Sequence, residues 1–338
     1  MRALFIGGTG TISRAVSEHA IGDGWELLLL NRGTASGRIP GAAEVLIGDI
    51  NGDETRIAAL LGDRHFDVVV DFIAFRPQQI ERDIRLFSGK IRQFIFISSA
   101  SIYQKPLNYY LISESTPLAN PFWEYSRDKI ACEDLLLGAY RTAGFPCTIV
   151  RPSHTYSERS VPVAVRGSKG SWQVIDRIRS GKPVIIHGDG SSLWTLTHNS
   201  DFAKGFCGLM GNSAAIGEAV HITSDESLSW NRIYDCIGAA LGVPVTKYHV
   251  ASDFLAACDA GFAGTLGGDK AHSVVFDNAK LKRLVPSFRA EVRFDQGVRR
   301  CIDYLLSHPE AQTLDPDFDS FCDRVIAAQD AAIESFRN

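Results

Sequence analysis

The sequence predicts an α/β protein: a doubly wound parallel sheet of the Rossmann type, followed by a smaller, mostly helical C-terminal cap that binds substrate. Three observations predict it. Short apolar β-type runs alternate with helix-sized segments through the first half of the chain. A glycine-rich turn follows the first run and opens a helix. Beyond Arg151-Pro152 the alternation stops, and a turn-rich connection leads into mostly helical patterns.

The β-type runs lie at 3–5, 26–30, 44–47, 68–70, 93–97 and 148–150, with helical patterns at 11–21, 53–61, 78–87 and 126–143. Strands separated by helices need crossover connections, which give a parallel sheet covered on both faces with right-handed crossovers. Further on come a turn-rich stretch at 162–172, an amphipathic stretch at 173–180, a helix at 201–209 and a strand at 219–222, with loops near 260–268 and 313–317. The expected division is a dinucleotide-binding domain at 1–160, to which 197–225 return, and a substrate-binding cap at 161–196 and 226–338.

With 338 residues, 45% of them hydrophobic, the chain can bury roughly two domains' worth of core. A net charge of −4 gives no electrostatic support for a nucleic-acid partner. No apolar run approaches the roughly 18 residues of a membrane span, and the N-terminus lacks the pattern of a signal peptide. Cys132, Cys147, Cys207, Cys236, Cys258, Cys301 and Cys322 form no CxxC pair. They read as small apolar residues in a reducing, cytoplasmic setting, without a disulfide framework or a zinc site. Asp315, Asp317 and Asp319 lack the glycine and terminal glutamate of a calcium loop, so no metal is expected.

The run at 3–5 leads into Gly7-Gly8-Thr9-Gly10-Thr11-Ile12-Ser13. Gly7 permits a tight turn, and Gly10 lets the backbone approach a pyrophosphate. The helix from Thr11 offers free N–H groups and a positive dipole end to the phosphates. Gly7, Thr9, Gly10, Thr11 and Ile12 are therefore candidate cofactor contacts. The second strand ends in Asn31-Arg32-Gly33. An acidic residue there would repel a 2′-phosphate; Asn31 is neutral and Arg32 can pair with one, so NADP is favoured over NAD. Asp49 and Ile50 fit an adenine edge, as acceptor and apolar wall. Phe72, Ala74, Ser98 and Pro152, beyond later strands, complete the expected cofactor contacts, because strand carboxyl ends face the crevice.

The strand at 93–97 ends in Ser98-Ser99-Ala100-Ser101-Ile102-Tyr103, and Tyr125-Ser126-Arg127-Asp128-Lys129 follows. A spacing of four puts Tyr125 and Lys129 on one helix face. A free phenol, with a pKa of about 10, is a poor base at neutral pH. An ammonium and a nicotinamide cation nearby favour the phenolate. Tyr125 can then take the proton of a substrate hydroxyl as its carbon gives up hydride, or return it in reduction. Ser99 would hold the same oxygen, and Lys129 would also anchor the cofactor ribose.

These motifs resemble the extended short-chain dehydrogenase/reductase superfamily, NAD-dependent epimerase/dehydratase group. GGTGTIS at 7–13, SSASIY at 98–103, YSRDK at 125–129, RPSHTY at 151–156 and GDGSSLWTLTHNSD at 188–201 carry the resemblance, in family order. It implies Ser99 as the catalytic hydroxyl, Tyr125 and Lys129 as the YxxxK pair (both also touching cofactor), and a homodimer formed through helices that include this one.

Three departures bear on the reaction. Ser13 stands where the family turn has its third glycine. Ala100 and Ser101 stand where sugar-nucleotide dehydratases carry an acid, which disfavours dehydration and leaves epimerisation, oxidation or reduction. Trp194 stands where many relatives place an arginine on the substrate diphosphate; it can stack on a ring but cannot neutralise phosphate. Ser101, His154 and Trp194 are candidate substrate contacts, with His154 a hydrogen-bonding group or second base. His198 and Asp201 read as structural, Asp201 near a helix start. The expected partner is a small, carbohydrate-derived molecule bearing a secondary hydroxyl or its ketone, with no nucleic acid and no membrane. The alternative is a non-catalytic member of the fold, since relatives with a similar turn and Asn-Arg-Gly strand have been linked to RNA; such a protein has no need of Tyr125 and Lys129 together.

Overall fold

The computed structural model describes residues 1–33 and 41–337. The first half runs β1 (Arg2–Ile6), α1 (Thr11–Gly22), β2 (Glu26–Asn31), β3 (Glu44–Ile47), α2 (Glu54–Leu61), β4 (Phe66–Asp71), α3 (Pro77–Phe87), β5 (Ile91–Ile97), the short β6 (Leu111–Ile112), α4 (Glu124–Ala143) and β7 (Cys147–Pro152). Then come β8 (His154–Tyr156), α5 (Trp172–Arg179), β9 (Val184–His187), β10 (Leu193–His198), α6 (Asn199–Leu209), β11 (Ala219–Ile222), β12 (Ser227–Ser229), α7 (Trp230–Leu241), β13 (Lys247–Val250) and α8 (Ser252–Cys258). The chain closes with β14 (Val275–Phe276), α9 (Ala279–Leu284), α10 (Phe294–Ser307) and α11 (Pro316–Ser335).

A seven-stranded sheet in the order β11-β7-β5-β4-β1-β2-β3 carries the dinucleotide-type fold, and all its pairings are parallel. Its central strands are buried on both faces, which is why they read as continuous apolar runs such as Leu27–Leu30 and Val68–Val70 and not as alternating patterns. One face packs Val16 and Ala20 of α1 and Phe202 and Phe206 of α6; the other packs Ile57 of α2, Ile80 of α3 and Leu136 of α4. Leu281, Val285 and Phe288, around α9, also belong to the first face, so this piece of the C-terminal half packs on the sheet.

The remainder is mostly helical around its own core, in which Trp172, Trp194, Trp230 and Phe294 are buried. Short strands stitch it together: β8, β10 and β12 form one small sheet, β9 pairs with β13, and β6 with β14. The two- and three-residue strands β6, β8, β12 and β14 have too few residues to show a period of two, which is why the sequence did not reveal them. The segment Ala263–Lys270, expected within a loop, forms a π-helical turn. Its glycines read as loop formers. They serve instead to let the turn lie against Trp123, since a Cβ at Gly264 would come within 2.6 Å of the indole. The expected loop at 313–317 ends early because Pro316 starts α11, with Asp315 accepting the Phe318 N–H. Of the seven cysteines only Cys258 is exposed, and none is paired. No helix among the described residues is long and apolar enough to cross a membrane.

Candidate active site

Because the main sheet is parallel, its carboxyl ends lie along one edge, with the strand order reversing direction between β1 and β4. Along that edge stand, in spatial order, Asp49 and Ile50 beyond β3, Asn31 and Arg32 at β2, the Gly7–Ile12 turn after β1, Phe72–Ala74 after β4, Ser98–Ser101 after β5 and Pro152–His154 at β7. Gly7 and Gly8 have φ of 102° and 99°, a region that L side chains rarely enter, and so bend the chain sharply out of β1. Gly10 caps α1 at the position from which helix N–H groups face a ligand. Ser13, in place of the third glycine, is buried, and its hydroxyl accepts the Gly10 N–H at 2.9 Å.

Two polar atoms on this edge are buried without partners among the described residues: Asn31 Nδ2 and Ser98 Oγ. Asn31 Oδ1 is already used, accepting the Gly33 N–H at 2.8 Å. A buried donor left free costs about 1–3 kcal/mol, so these positions suit the hydroxyls and amide of a dinucleotide. Arg32 is exposed. Asp49 is exposed and accepts from Asn51 N, while Ile50 is buried. The half-buried Phe72 packs its ring against Phe5 and Phe206, at the margin of the core. The sequence did not flag Arg82. This buried guanidinium donates to Asp71, Asp83, the Ile50 carbonyl and Asn51, while Asp71 accepts from Ile73 N and Ala74 N. One cation thus braces the loops after β3 and β4.

At the other end of the edge, Ser99 and Tyr125 line one cavity of about 210 Å³. Ser99 Oγ accepts the Ser101 N–H at 3.2 Å and meets Ser101 Oγ at 2.9 Å, which in turn meets Ser126 Oγ at 2.8 Å. Ser101, a candidate substrate contact, also lines this cavity, and its hydroxyl bridges those of Ser99 and Ser126. Burial raises the Tyr125 pKa, and a hydrogen bond from Ser99 opposes it. Lys129 is buried; its ammonium donates to the Ala74 and Ile97 carbonyls, both at 2.7 Å, and lies 5.8 Å from the Tyr125 ring centre. Burial lowers its pKa to about 8. An ammonium has three N–H donors, so one remains for a ligand.

Pro152, His154 and Trp194 line the same cavity. Burial pushes the His154 pKa down to about 3, which excludes it as a base at neutral pH. Trp194 Nε1 donates to His154 Nδ1 over 3.4 Å, which places the ring proton on Nε2, a donor. The Trp194 ring is buried and tilted against Trp230 at 5.4 Å. Trp123, Asp269, Val274 and Phe276 complete the wall, and no motif announced Asp269. Two larger cavities, of about 800 and 710 Å³, adjoin the glycine turn at Thr11; the larger also reaches His154. Ser99 and Tyr125 line neither, and His154 lines both the small cavity and the larger of these two. His198 caps α6, and Asp201 accepts the Val292 N–H and pairs with Lys204, as structural residues do.

The family model described as the NAD dependent epimerase/dehydratase family matches residues 3–223. The chain is 26% identical over 294 residues to a 2′-dehydrokanamycin reductase of Streptomyces kanamyceticus, covering 86% of this chain and 80% of that one. It is 24% identical over 259 residues to a chloroplast stem-loop binding protein of 41 kDa from Arabidopsis thaliana, covering 72% of this chain and 64% of that one. Among solved structures it resembles UDP-glucuronic acid 4-epimerase from Bacillus cereus in complex with NAD, with a TM-score of 0.72 at 18% identity over 92% of this chain and 98% of that one.

Proposed function

The chain belongs to the NAD-dependent epimerase/dehydratase family, and from that premise we propose that it is a nicotinamide-dependent epimerase or oxidoreductase acting on a secondary hydroxyl, or the matching ketone, of a carbohydrate-derived molecule. One observation carries the proposal: Ser99 and Tyr125 share the reaction cavity while the Lys129 ammonium is buried beside the phenol with a donor to spare.

The Gly7–Ile12 turn would hold the cofactor's pyrophosphate, Asn31 and Arg32 its adenosine ribose, Asp49 and Ile50 the adenine, and Ser98 and Lys129 the nicotinamide half. The neutral Asn31 beside exposed Arg32 supports NADP over NAD. When bound, the nicotinamide supplies or accepts the hydride. The chain's own residues do the rest. Ser99 Oγ positions the reacting oxygen. In reduction, the Tyr125 hydroxyl protonates that oxygen as the carbonyl carbon gains hydride. In oxidation, the phenolate takes the same proton back. Burial keeps the phenol protonated in the free protein, and positive charge brought next to it favours the phenolate. Lys129 would steady both the phenol and the ribose. Epimerisation uses the same steps twice, with the ketone turned over between them. The relatives' names span both outcomes, one a reductase of a keto-aminoglycoside and the other a UDP-sugar epimerase. Pairing of two copies through the helix carrying Tyr125 belongs to the same proposal.

Tyr125→Phe tests it. Turnover should fall by about 100- to 10,000-fold, the usual range for a lost general acid–base group, while cofactor binding, followed by fluorescence titration, persists. Full activity in that variant would remove Tyr125 from the chemistry.

A further inference from the structure

Asp269 is the one carboxylate among the described residues that lines the reaction cavity, and no lysine or arginine lines it. It is held there from both sides. A Cβ at Gly268 would come within 2.9 Å of Trp123 Cβ, and one at Gly264 within 2.6 Å of its indole Cδ1, so the π-helical turn rests directly on Trp123. The Gly268 carbonyl accepts Asn120 Nδ2 at 2.7 Å, and the Lys270 carbonyl accepts His187 Nε2 at 2.8 Å and Trp230 Nε1 at 3.3 Å. A residue between two clamped carbonyls is preorganised.

The carboxylate itself receives no hydrogen bond from the described side chains. Its nearest cation, Lys270 Nζ, stands 4.0 Å away, beyond hydrogen-bond reach, and that side chain lines the larger cavity. The Asp269 oxygens are not sealed within the protein but open onto the cavity, where an occupant can donate to them. The other walls are the rings of Trp123, Tyr125, Trp194 and Phe276. Aromatic faces and a carboxylate together suit an ammonium, which gains charge-assisted hydrogen bonds on one side and ring quadrupoles on the other. An anionic group would meet neither. Burial raises the Asp269 pKa, and the nearby Lys270 and Lys105 oppose that rise and favour the carboxylate. Neither touches it, and an ammonium in the cavity sits at contact distance, where attraction is largest.

Resting on the hydride-transfer assignment of Ser99, Tyr125 and Lys129, we infer that the substrate is an amino sugar whose ammonium, close to the reacting carbon, is held by Asp269 against Trp123 and Trp194. The site thereby selects a cationic sugar over a neutral one and over a sugar ring bearing phosphate.

The test uses the full chain saturated with cofactor, titrated with hexoses, with their mono-amino deoxy counterparts carrying the amine at each ring position, and with kanamycin and its N-acetylated form. Fluorescence of Trp123 and Trp194 reports binding. At neutral pH at least one amine should bind about 10- to 100-fold more tightly than its hydroxyl or N-acetyl counterpart, and Asp269→Asn should remove that preference while leaving cofactor binding intact. No amine preference anywhere in the panel, or a preference that survives Asp269→Asn, overturns the inference. If Asp269→Asn fails to fold, the wild-type contrast and its loss on acidification decide instead. Cofactor binding and Tyr125→Phe turnover are read separately. An amine preference without cofactor-dependent turnover would remove the hydride-transfer assignment alone; turnover on sugars without amine preference would remove the ammonium site alone.

Discussion

Arg32 and Lys129 show how single side chains set this site's requirements. Arg32 is exposed at the end of β2, and no ion pair engages it among the described residues. Arg32→Ala should weaken NADP roughly tenfold, a value near the low end for charge-assisted contacts because solvent screens an exposed charge. NAD affinity should hardly change, and equal effects on the two dinucleotides would remove the argument for NADP. Lys129 lies at the opposite extreme, buried with a pKa near 8 against 10.5 for a free lysine. Between those two pH values the unfolded chain binds more protons than the folded one, so this group's contribution to stability increases as pH rises through that window. Unfolding free energy, compared between wild type and Lys129→Met, should therefore shift in favour of wild type by about 3 kcal/mol between pH 8 and 10.5. A difference that stays flat across that range would mean that Lys129 is not desolvated as described. Both residues were legible in the sequence because each belongs to a local pattern, a strand end or a four-residue spacing. Asp269 belongs to none. Its position follows from contacts with Trp123, Asn120 and His187, which are remote in sequence.

At the scale of elements, the same distinction explains what could be read and what could not. The strands of the main sheet announced themselves as apolar runs alternating with helix-sized segments, each bounded by turn chemistry. The π-helical turn Ala263–Lys270 did not, because its glycines answer a neighbour's shape and not a local turn. Gly264→Ala makes this measurable. The added methyl would sit 2.6 Å from Trp123 Cδ1, so the indole or the turn must shift. Overpacking of this kind costs about 1–3 kcal/mol, and here the shift falls on two walls of the reaction cavity. KM for the sugar should rise several-fold more than kcat falls. An unaltered KM would mean that this turn does not shape the cavity.

Across the whole molecule, one buried polar chain joins α4, the helix that carries Tyr125, to the far end of the sheet and on to β14. Glu133 of α4 accepts from Arg151 of β7 at 3.0 and 2.5 Å. Arg151 donates to the Tyr103 hydroxyl at 3.2 Å, and that hydroxyl meets His221 Nδ1 of β11 at 3.0 Å. His221 Nε2 reaches the Asp277 carbonyl, beside β14, at 2.8 Å. Burial lowers the His221 pKa, so the ring is neutral. The order of donors then follows: Nε2–H donates to Asp277, and Nδ1 accepts the tyrosine proton. Glu114 stands beside the chain, accepting the His221 N–H at 3.2 Å, but Glu133 is the carboxylate paired directly with Arg151, which makes the chain sensitive to its loss. Glu133→Gln keeps the shape but leaves Arg151 as a buried, uncompensated cation, and should destabilise the protein by about 3–5 kcal/mol. Replacing both partners, Glu133→Leu with Arg151→Met, removes the charge along with its counter-charge and should recover much of that loss in urea unfolding. Tyr125 and Lys129 ride on the same helix as Glu133, so the single variant should also loosen the reaction cavity and raise KM for the sugar, whereas the double variant should restore stability more fully than KM. If Glu133→Gln unfolds at the wild-type urea concentration, the chain of bonds from α4 to β14 is not what fixes α4 over the end of β5.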